Sequence, residues 1–533
     1  MASCPCDDQD DAAGPAGALR TRALLEAACC LHLAGRERSA SRLVDGLLDG
    51  PGAGLVEQGL AGLARQHLPF ALICLRMLSR RDPARLDRCW AAIEAGTAGR
   101  LMEPALLKAR LDHSEGGNGR PAGRDPGGPD LCYVLSVSLP QDTTGYSMRT
   151  QSLVAALQDH GLTIHCLTRP GFPWHRRLAG PAEPARIGPV TYHRCGSKAH
   201  RIPSDFASIR AAEAELVDRI GEANPKAVMA GSNHQTAIPA MLAARRLGLP
   251  FIYDVRGFWE DSRAAKDPGW GAGEGYRIAC ELEALAATRA DLVLTLNPAM
   301  RDELILRGVR PERICLLPNA ADPDRFMPRE RSAALAGRLG IAADTPVIGY
   351  VGSFTTYEGL DDLVATGAAL AQREQDFRMV IVGGEEAPRT AILDGLRRQA
   401  EAAGIADRII LPGRVPAEAV AEWYSLVDIA PLPRKPLKVT QTVSPLKPLE
   451  AMAMAKCVVV PDLPPFLDMV RHAQTGMVYR QGDTADLAAT LEILIRDPAL
   501  RQRLGTQARQ WILAERTWDL ASKAAAERIR DLT

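Results

Sequence analysis

The sequence predicts two doubly wound α/β domains in tandem, facing a cleft and preceded by an all-helical domain. Three observations lead there. From Leu131 onward, short β-branched runs alternate with helix-length segments, the pattern of parallel sheets with helical crossovers. The alternation restarts after Pro346, so it describes two Rossmann-like sheets rather than one. The residues before position 114 lack β-branched runs and carry apolar residues at helical spacing.

Composition bounds the function. The chain of 533 residues has 64 Lys+Arg against 64 Asp+Glu, a formal net charge of zero that recruits neither nucleic acid nor an anionic membrane wholesale. Hydrophobic content of 46% and charged content of 24% are those of a soluble globular protein. No segment offers the ~18 uninterrupted apolar residues of a transmembrane helix. The opening MASCPCDDQDD has no apolar core, so a secretory signal is not expected. Twelve cysteines occur without CxxC pairs, and neither Cys4/Cys6 nor Cys29/Cys30 has zinc-ligand spacing. Reduced thiols and a cytoplasmic location are expected, leaving room for peripheral association with the inner face of the membrane.

In chain order, LRTRALLEAACCLHLAG, SASRLVDGLLDG and PFALICLRMLSRRDPARLDRCWAAIEAG read as helices of an accessory domain over 1–113. That domain has no chemistry of its own and is a candidate surface for a protein partner. HSEGGNGRPAGRDPGGPD marks a Gly/Pro-rich linker over 114–130. The first α/β domain, 131–330, holds the strand runs LCYVLSVSL, LTIHCLT, KAVMAGS, PFIYDV, DLVLTL and RICLLPN, with a looser stretch through PVTYHRC. The second, 331–515, holds PVIGYVGSF, FRMVIVGG, RIILPG, DIAPL and CVVV, and a closing helix covers 516–533. Ligands of such sheets sit at the carboxyl ends of the strands.

The richest stretch runs from Asp428 to Val460. It reads as strand, basic loop with Arg434, Lys435 and Lys438, helix, strand. Ser444 stands where an N-cap is expected, Pro445 suits the first turn, and LEAMAMA continues as helix. Lys447 in that first turn opposes the helix dipole by roughly 0.3–1 kcal/mol. An anion at the same terminus would explain it; an i,i+3 pair with Glu450 is the plainer account. On the first account Lys447→Ala should barely change the stability of the free protein. No Asp, His or Cys cluster has metal spacing: Asp361 and Asp362 fall inside a helix, and Asp322 and Asp324 in the connector.

These landmarks, DTTGYSMRT, FIYDVRGFWE, LLPNAADPDRF, VIGYVGSF, MVIVGG and PLKPLEAMAMAKCVVVP, resemble in order and spacing the retaining glycosyltransferases of the GT-B fold, family 4. The resemblance covers about residues 131–533. It implies a nucleotide-sugar donor held mainly by the second domain, a diphosphate that itself accepts the acceptor's proton, and no cofactor or metal. Glu450 matches the second member of the family's Glu pair, which bonds the ribose, whereas Thr442 stands in the place of the first. The family's diphosphate-binding Arg and Lys fall near Ser353 and Glu358, and its active-site His near Arg256. The losses are met by gains, since Arg256, Arg434, Lys435 and Lys447 are expected to face the cleft.

The resemblance thus implies Arg256, Lys447 and Glu450 as catalytic positions. Gly145, Tyr146, Ser353, Gly413, Arg414, Arg434, Lys435, Ser444 and Leu446 are implied as donor-binding ones. Arg256, Trp259 and Glu260 suit sugar and phosphate recognition, His234 is a candidate for acceptor contacts, and Arg149 faces either the cleft or solvent. The expected activity is transfer of a sugar to a glycan or lipid-linked acceptor in cell-surface polysaccharide synthesis. The alternatives are an inactive nucleotide-sugar-binding protein whose helices recruit a partner, and epimerisation of a nucleotide sugar.

Overall fold

The computed structural model describes residues 15–50, 53–82, 85–96, 108, 127–174, 184–196, 206–385, 390–416 and 418–533. The expected linker lies outside these up to position 126, as do Cys4 and Cys6. The chain divides into two compact units, 1–122 with 200–215, and 123–199 with 216–533.

The first unit is built from helices Pro15–Leu33, Glu37–Asp49, Val56–Gln66, Leu68–Arg81 and Leu86–Gly96. Leu25, Val44, Leu60, Leu63, Leu75 and Ile93 fill its core. The helix Val56–Gln66 escapes the sequence reading because the break before it is short and its Gly59 and Gly62 interrupt the apolar spacing.

The second unit holds both sheets. Strands β1 (Leu131–Leu135), β2 (Ile164–Thr168), β3 (Ala185–Ile187), β4 (Val190–Arg194), β5 (Ala227–Gly231), β6 (Phe251–Val255), β7 (Leu292–Thr295) and β8 (Ile314–Leu316) form the first. Their order is β3-β4-β2-β1-β5-β6-β7-β8, parallel except for the β3–β4 hairpin. That hairpin raises the expected six strands to eight. Strands β9 (Val347–Val351), β10 (Arg378–Val382), β11 (Ile409–Gly413), β12 (Ile429–Pro431), β13 (Cys457–Pro461) and β14 (Met477–Tyr479) form the second. Their order is β11-β10-β9-β12-β13-β14, all parallel.

Each sheet is doubly wound, with switch points beside β1 and β9, where an open α/β sheet leaves a crevice. The central strands β1, β5, β6, β9 and β13 are buried along their whole length, as the β-branched runs require. The final helix, Trp518–Arg530, returns to the first sheet, where Trp518, Ala525 and Ile529 join the core of Leu131, Tyr133 and Leu292.

Two local expectations are corrected. KVTQT, within the presumed basic loop, is a short helix, Lys438–Thr442. The following helix begins at Lys447 with Leu446, not Ser444, at its N-cap. Ser444 is buried and its hydroxyl accepts from Asn297 Nδ2 at 2.6 Å.

Candidate functional site

The carboxyl ends of the two sheets enclose a cavity of about 450 Å³. The first domain contributes Thr143, Gly145, Tyr146, Met148, Arg149 and Arg256, and the connector contributes Asn319, Arg325 and Phe326. Gly352, Ser353, Gly383, Gly384, Arg414, Arg434, Ser444, Pro445, Leu446, Lys447 and Glu450 form the opposite wall. Most of the sequence-derived site residues therefore converge on one cavity.

On the second-domain wall, glycines bring backbone to the surface. A Cβ at Gly383, whose φ is +138°, would meet the Gly352 carbonyl oxygen at 1.8 Å. A Cβ at Gly352 would meet Lys447 Cε at 2.1 Å, so the lysine stem runs directly beneath that turn. Its Nζ lies 2.8 Å from Glu358 Oε1, and Arg434 Nη2 lies 3.3 Å from the same oxygen. Lys447 thus pairs with Glu358 and not with Glu450. Burial pulls the Lys447 ammonium below its ordinary pKa, with Glu358 opposing. Burial would raise the Glu358 carboxyl, but Lys447 and Arg434 together hold it below the ordinary value.

Glu450 sits one helical turn further, with part of its surface on the cavity. Burial pushes its carboxyl up, opposed by Arg325 and Lys447. Arg325 and Arg414 line the same wall, and among the described residues neither side chain has a carboxylate within ion-pair distance. Arg414 Nη1 donates to the Glu385 carbonyl, at 3.3 Å.

Two expected donor contacts are placed elsewhere. Lys435 turns away to Asp361 and Asp362, at 2.7 and 2.6 Å, because its backbone N–H is fixed to the Tyr357 carbonyl between Pro433 and Pro436. Gly413 is not on the wall; its carbonyl accepts the Gly383 N–H at 2.9 Å and so supports the turn that is. Thr442, in the place of the missing carboxylate, is also off the wall. Its carbonyl accepts from Asn297 Nδ2 at 2.8 Å.

On the first-domain wall, Gly145 starts the helix Gly145–Asp159, and a Cβ there would lie 3.7 Å from Leu446 Cδ1 across the cleft. Tyr146 donates its hydroxyl to the Ser232 carbonyl at 2.8 Å, and its ring lies 4.3 Å from the Arg256 guanidinium carbon. Each side-chain nitrogen of Arg256 has a protein partner. Nε donates to Asp254 Oδ2 at 2.6 Å, and Nη1 to the Tyr146 carbonyl at 3.0 Å and Thr150 Oγ1 at 2.7 Å. Nη2 donates to the Tyr133 hydroxyl, which in turn bonds Asp254. Its expected part in sugar and phosphate recognition is therefore corrected to one of holding Tyr146 and the helix start.

Arg149 is buried rather than solvated, 3% exposed, with Nη2 donating to the Leu317 carbonyl at 3.1 Å. Trp259 is 43% exposed and off the wall, where its Nε1 donates to Ser232 Oγ at 3.3 Å. Glu260 points away to Arg307, 2.5 Å distant; burial and the Glu283 carboxylate push it up to about 7. His234 is engaged with Glu283, at 3.0 Å from Nδ1, rather than with the cavity.

Asn297, Asn319 and Arg325 escape the sequence reading. Asn319 and Arg325 lie within LLPNAADPDRF, and the polar residues just past a strand's carboxyl end were the available signal. Among the described residues no group of three or more His, Cys, Asp or Glu is placed to hold a metal ion. No helix among them is long and apolar enough to cross a membrane.

Comparison with known proteins matches both halves of the second unit. The family model described as glycosyl transferases group 1 matches residues 333–511, and the glycosyl transferase 4-like domain matches residues 144–320. D-inositol 3-phosphate glycosyltransferase of Acidothermus cellulolyticus is 25% identical over 381 residues, 68% of this chain and 80% of that protein. Sucrose-phosphate synthase of Thermosynechococcus elongatus superposes with a TM-score of 0.62 at 18% identity, over 76% of this chain and 99% of that one. Anabaena HepE in complex with UDP and glucose superposes with a TM-score of 0.56 at 15% identity, over 75% and 100%. The five helices between Pro15 and Gly96 lie outside the span of both family models.

Proposed function

Since the chain belongs to the group 1 glycosyltransferases of GT-B fold and is an enzyme that uses a nucleotide-sugar donor, we propose that it transfers the sugar with retention and without a metal ion. The acceptor is a glycan or lipid-linked saccharide of cell-surface polysaccharide synthesis, the class most common for this family.

One observation carries the reading of the donor site: cations and exposed backbone meet on a single wall. Lys447 lies beneath the Gly352–Ser353 turn, while Arg325 and Arg414 reach the same cavity with no carboxylate partner among the described residues. Such a wall suits a leaving diphosphate, whose developing charge needs preorganised positive groups. It leaves that part to side chains rather than a divalent ion. Ser353, Ser444 and Leu446 present backbone or hydroxyl groups beside it, and Tyr146 and Gly145 approach from the other domain. Glu450 is the acceptor for a ribose hydroxyl. In a retaining reaction on one face of the sugar, the leaving diphosphate oxygen takes the acceptor's proton, so Arg256 and Tyr146 only position and shield the reacting atoms.

The test is NMR of products formed from UDP-, GDP-, ADP- and dTDP-sugars, with and without excess chelator. The expected product keeps the donor's anomeric configuration at an unchanged rate in chelator. An inverted product, or loss of turnover on chelation, would sink the respective half of the proposal.

A further inference from the structure

Asp254, near the end of β6, faces two guanidinium groups at once. Arg256 Nε lies 2.6 Å from one carboxylate oxygen and Arg149 Nη2 lies 3.6 Å from the other. Among the described residues no second carboxylate comes within 4 Å of either arginine. The cluster therefore holds one uncompensated positive charge. It is also dry, with the side chains of Arg149 and Arg256 4% exposed and that of Asp254 0%. A buried charge without a counter-charge is strongly disfavoured, and native interiors keep such groups only when something pairs with them.

The deficit belongs to Arg149. Every side-chain nitrogen of Arg256 has a protein partner, whereas Nε and Nη1 of Arg149 are buried with none among the described residues. One side of its guanidinium stacks 5.5 Å from the centre of the Trp518 ring, and the residue lines the cavity. Two residues beyond the Leu317 carbonyl that Arg149 bonds, Asn319 repeats the pattern. Its Nδ2 is committed to the Ser444 carbonyl at 2.8 Å, while its Oδ1 is buried without a donor among the described residues, and the residue lines the cavity. Orphaned donors and an orphaned acceptor lining one cavity are rare in a finished interior. They fit a ligand that carries an anionic group next to a hydroxyl.

We infer that Arg149 forms an anion subsite in the cavity, binding a phosphate or carboxylate through Nε and Nη1 while Asn319 Oδ1 accepts a hydroxyl of the same ligand. This rests on the nucleotide-sugar reading above and adds to it a residue outside the Lys447 wall. The anion has two sources, the donor's diphosphate or an acidic group on the acceptor.

Calorimetric titration of the full chain with UDP, uridine and inorganic phosphate separates them, using Arg149→Gln and Arg149→Met. Both variants should melt at or above the temperature of the unsubstituted protein in anion-free buffer, since they remove an unpaired charge. If the anion is the donor's, UDP affinity falls at least about tenfold with uridine binding unchanged, the loss of a hydrogen-bonded charge pair. If it is the acceptor's, UDP affinity holds, and phosphate binding to the UDP-saturated protein disappears in the variants. Variants that fold and bind both ligands as the unsubstituted protein does would overturn the inference. So would variants that fail to fold even in high phosphate, because Arg149 would then be a scaffold residue. An unsubstituted protein that binds no nucleoside diphosphate defeats the donor reading instead, and the phosphate titration still decides the subsite.

Discussion

Lys447 shows how far a residue's neighbours can reverse its expected behaviour. As the first residue of a helix it opposes the dipole, and from that alone its removal should cost nothing. In the folded chain its ammonium is 2.8 Å from Glu358, whose side chain is 4% exposed, and Arg434 shares the same oxygen. Lys447→Ala leaves that carboxylate with one partner of two. It should destabilise the protein by about 2–3 kcal/mol in urea melts, below the full penalty for an orphaned buried charge because Arg434 remains. Glu358→Gln in the same chain should recover part of the loss, a coupling that a double-mutant cycle measures directly. Purely additive effects would mean the pair is not formed. Glu358 lies near the position where the family resemblance implies a cation, so the lysine reaching it from the helix restores the balance of that wall.

At the scale of elements, the β2–β4 pairing places His165 and His193 in a stack, ring centroids 4.0 Å apart. Burial, the His193 ring and Arg219 pull His165 from 6.5 down to about 4. Between those values the folded protein binds fewer protons than the unfolded chain. Stability is therefore complete above pH 6.5 and falls as the pH drops towards 4, by about 1–3 kcal/mol for a half-buried ring. His165→Phe should flatten that part of the stability–pH curve; an unchanged slope would assign the acid sensitivity to other groups. The hairpin of β3 and β4 was not legible beforehand, because β3 is three residues long and offers too little alternation to read. The helix Lys438–Thr442 was equally hidden. KVTQT is β-branched and follows Pro436, and only its burial of Val439 and Thr440 against the neighbouring elements makes it helical.

In the whole second unit, that short helix carries one of the contacts that tie the two domains together. Lys438 Nζ lies 3.3 Å from Asp261 and 3.1 Å from the Tyr276 hydroxyl, both on the first domain. Asn297 and Asn319 add bonds to the Thr442 and Ser444 carbonyls. Closure of such domains commits substrate and excludes water. Lys438→Met should weaken UDP binding by up to about fivefold, what a partly exposed ion pair contributes, and raise the UDP needed to reach the compact form in small-angle scattering. An unchanged scattering titration would show the bridge to be incidental.

What the sequence determined by itself is whatever local pattern encodes: two successive strand–helix alternations, the helices before them, and the landmarks that carry the family resemblance. These follow from side-chain periodicity and from glycine and proline at turns, which act over a few residues. It also brought Gly145, Ser353, Arg434, Lys447 and Glu450 to notice, because chemistry in this fold gathers where strands end. Only the tertiary structure decided which charges remain available. Arg256 sits at a strand end as a ligand-binding residue would, yet Tyr133, Thr150 and Asp254 consume it; Lys435 is consumed by Asp361 and Asp362; Arg149, by contrast, is left short of a partner. Pairing of charges is a through-space property that joins residues such as Lys435 and Asp361, 74 positions apart, and no local pattern in a single chain records it.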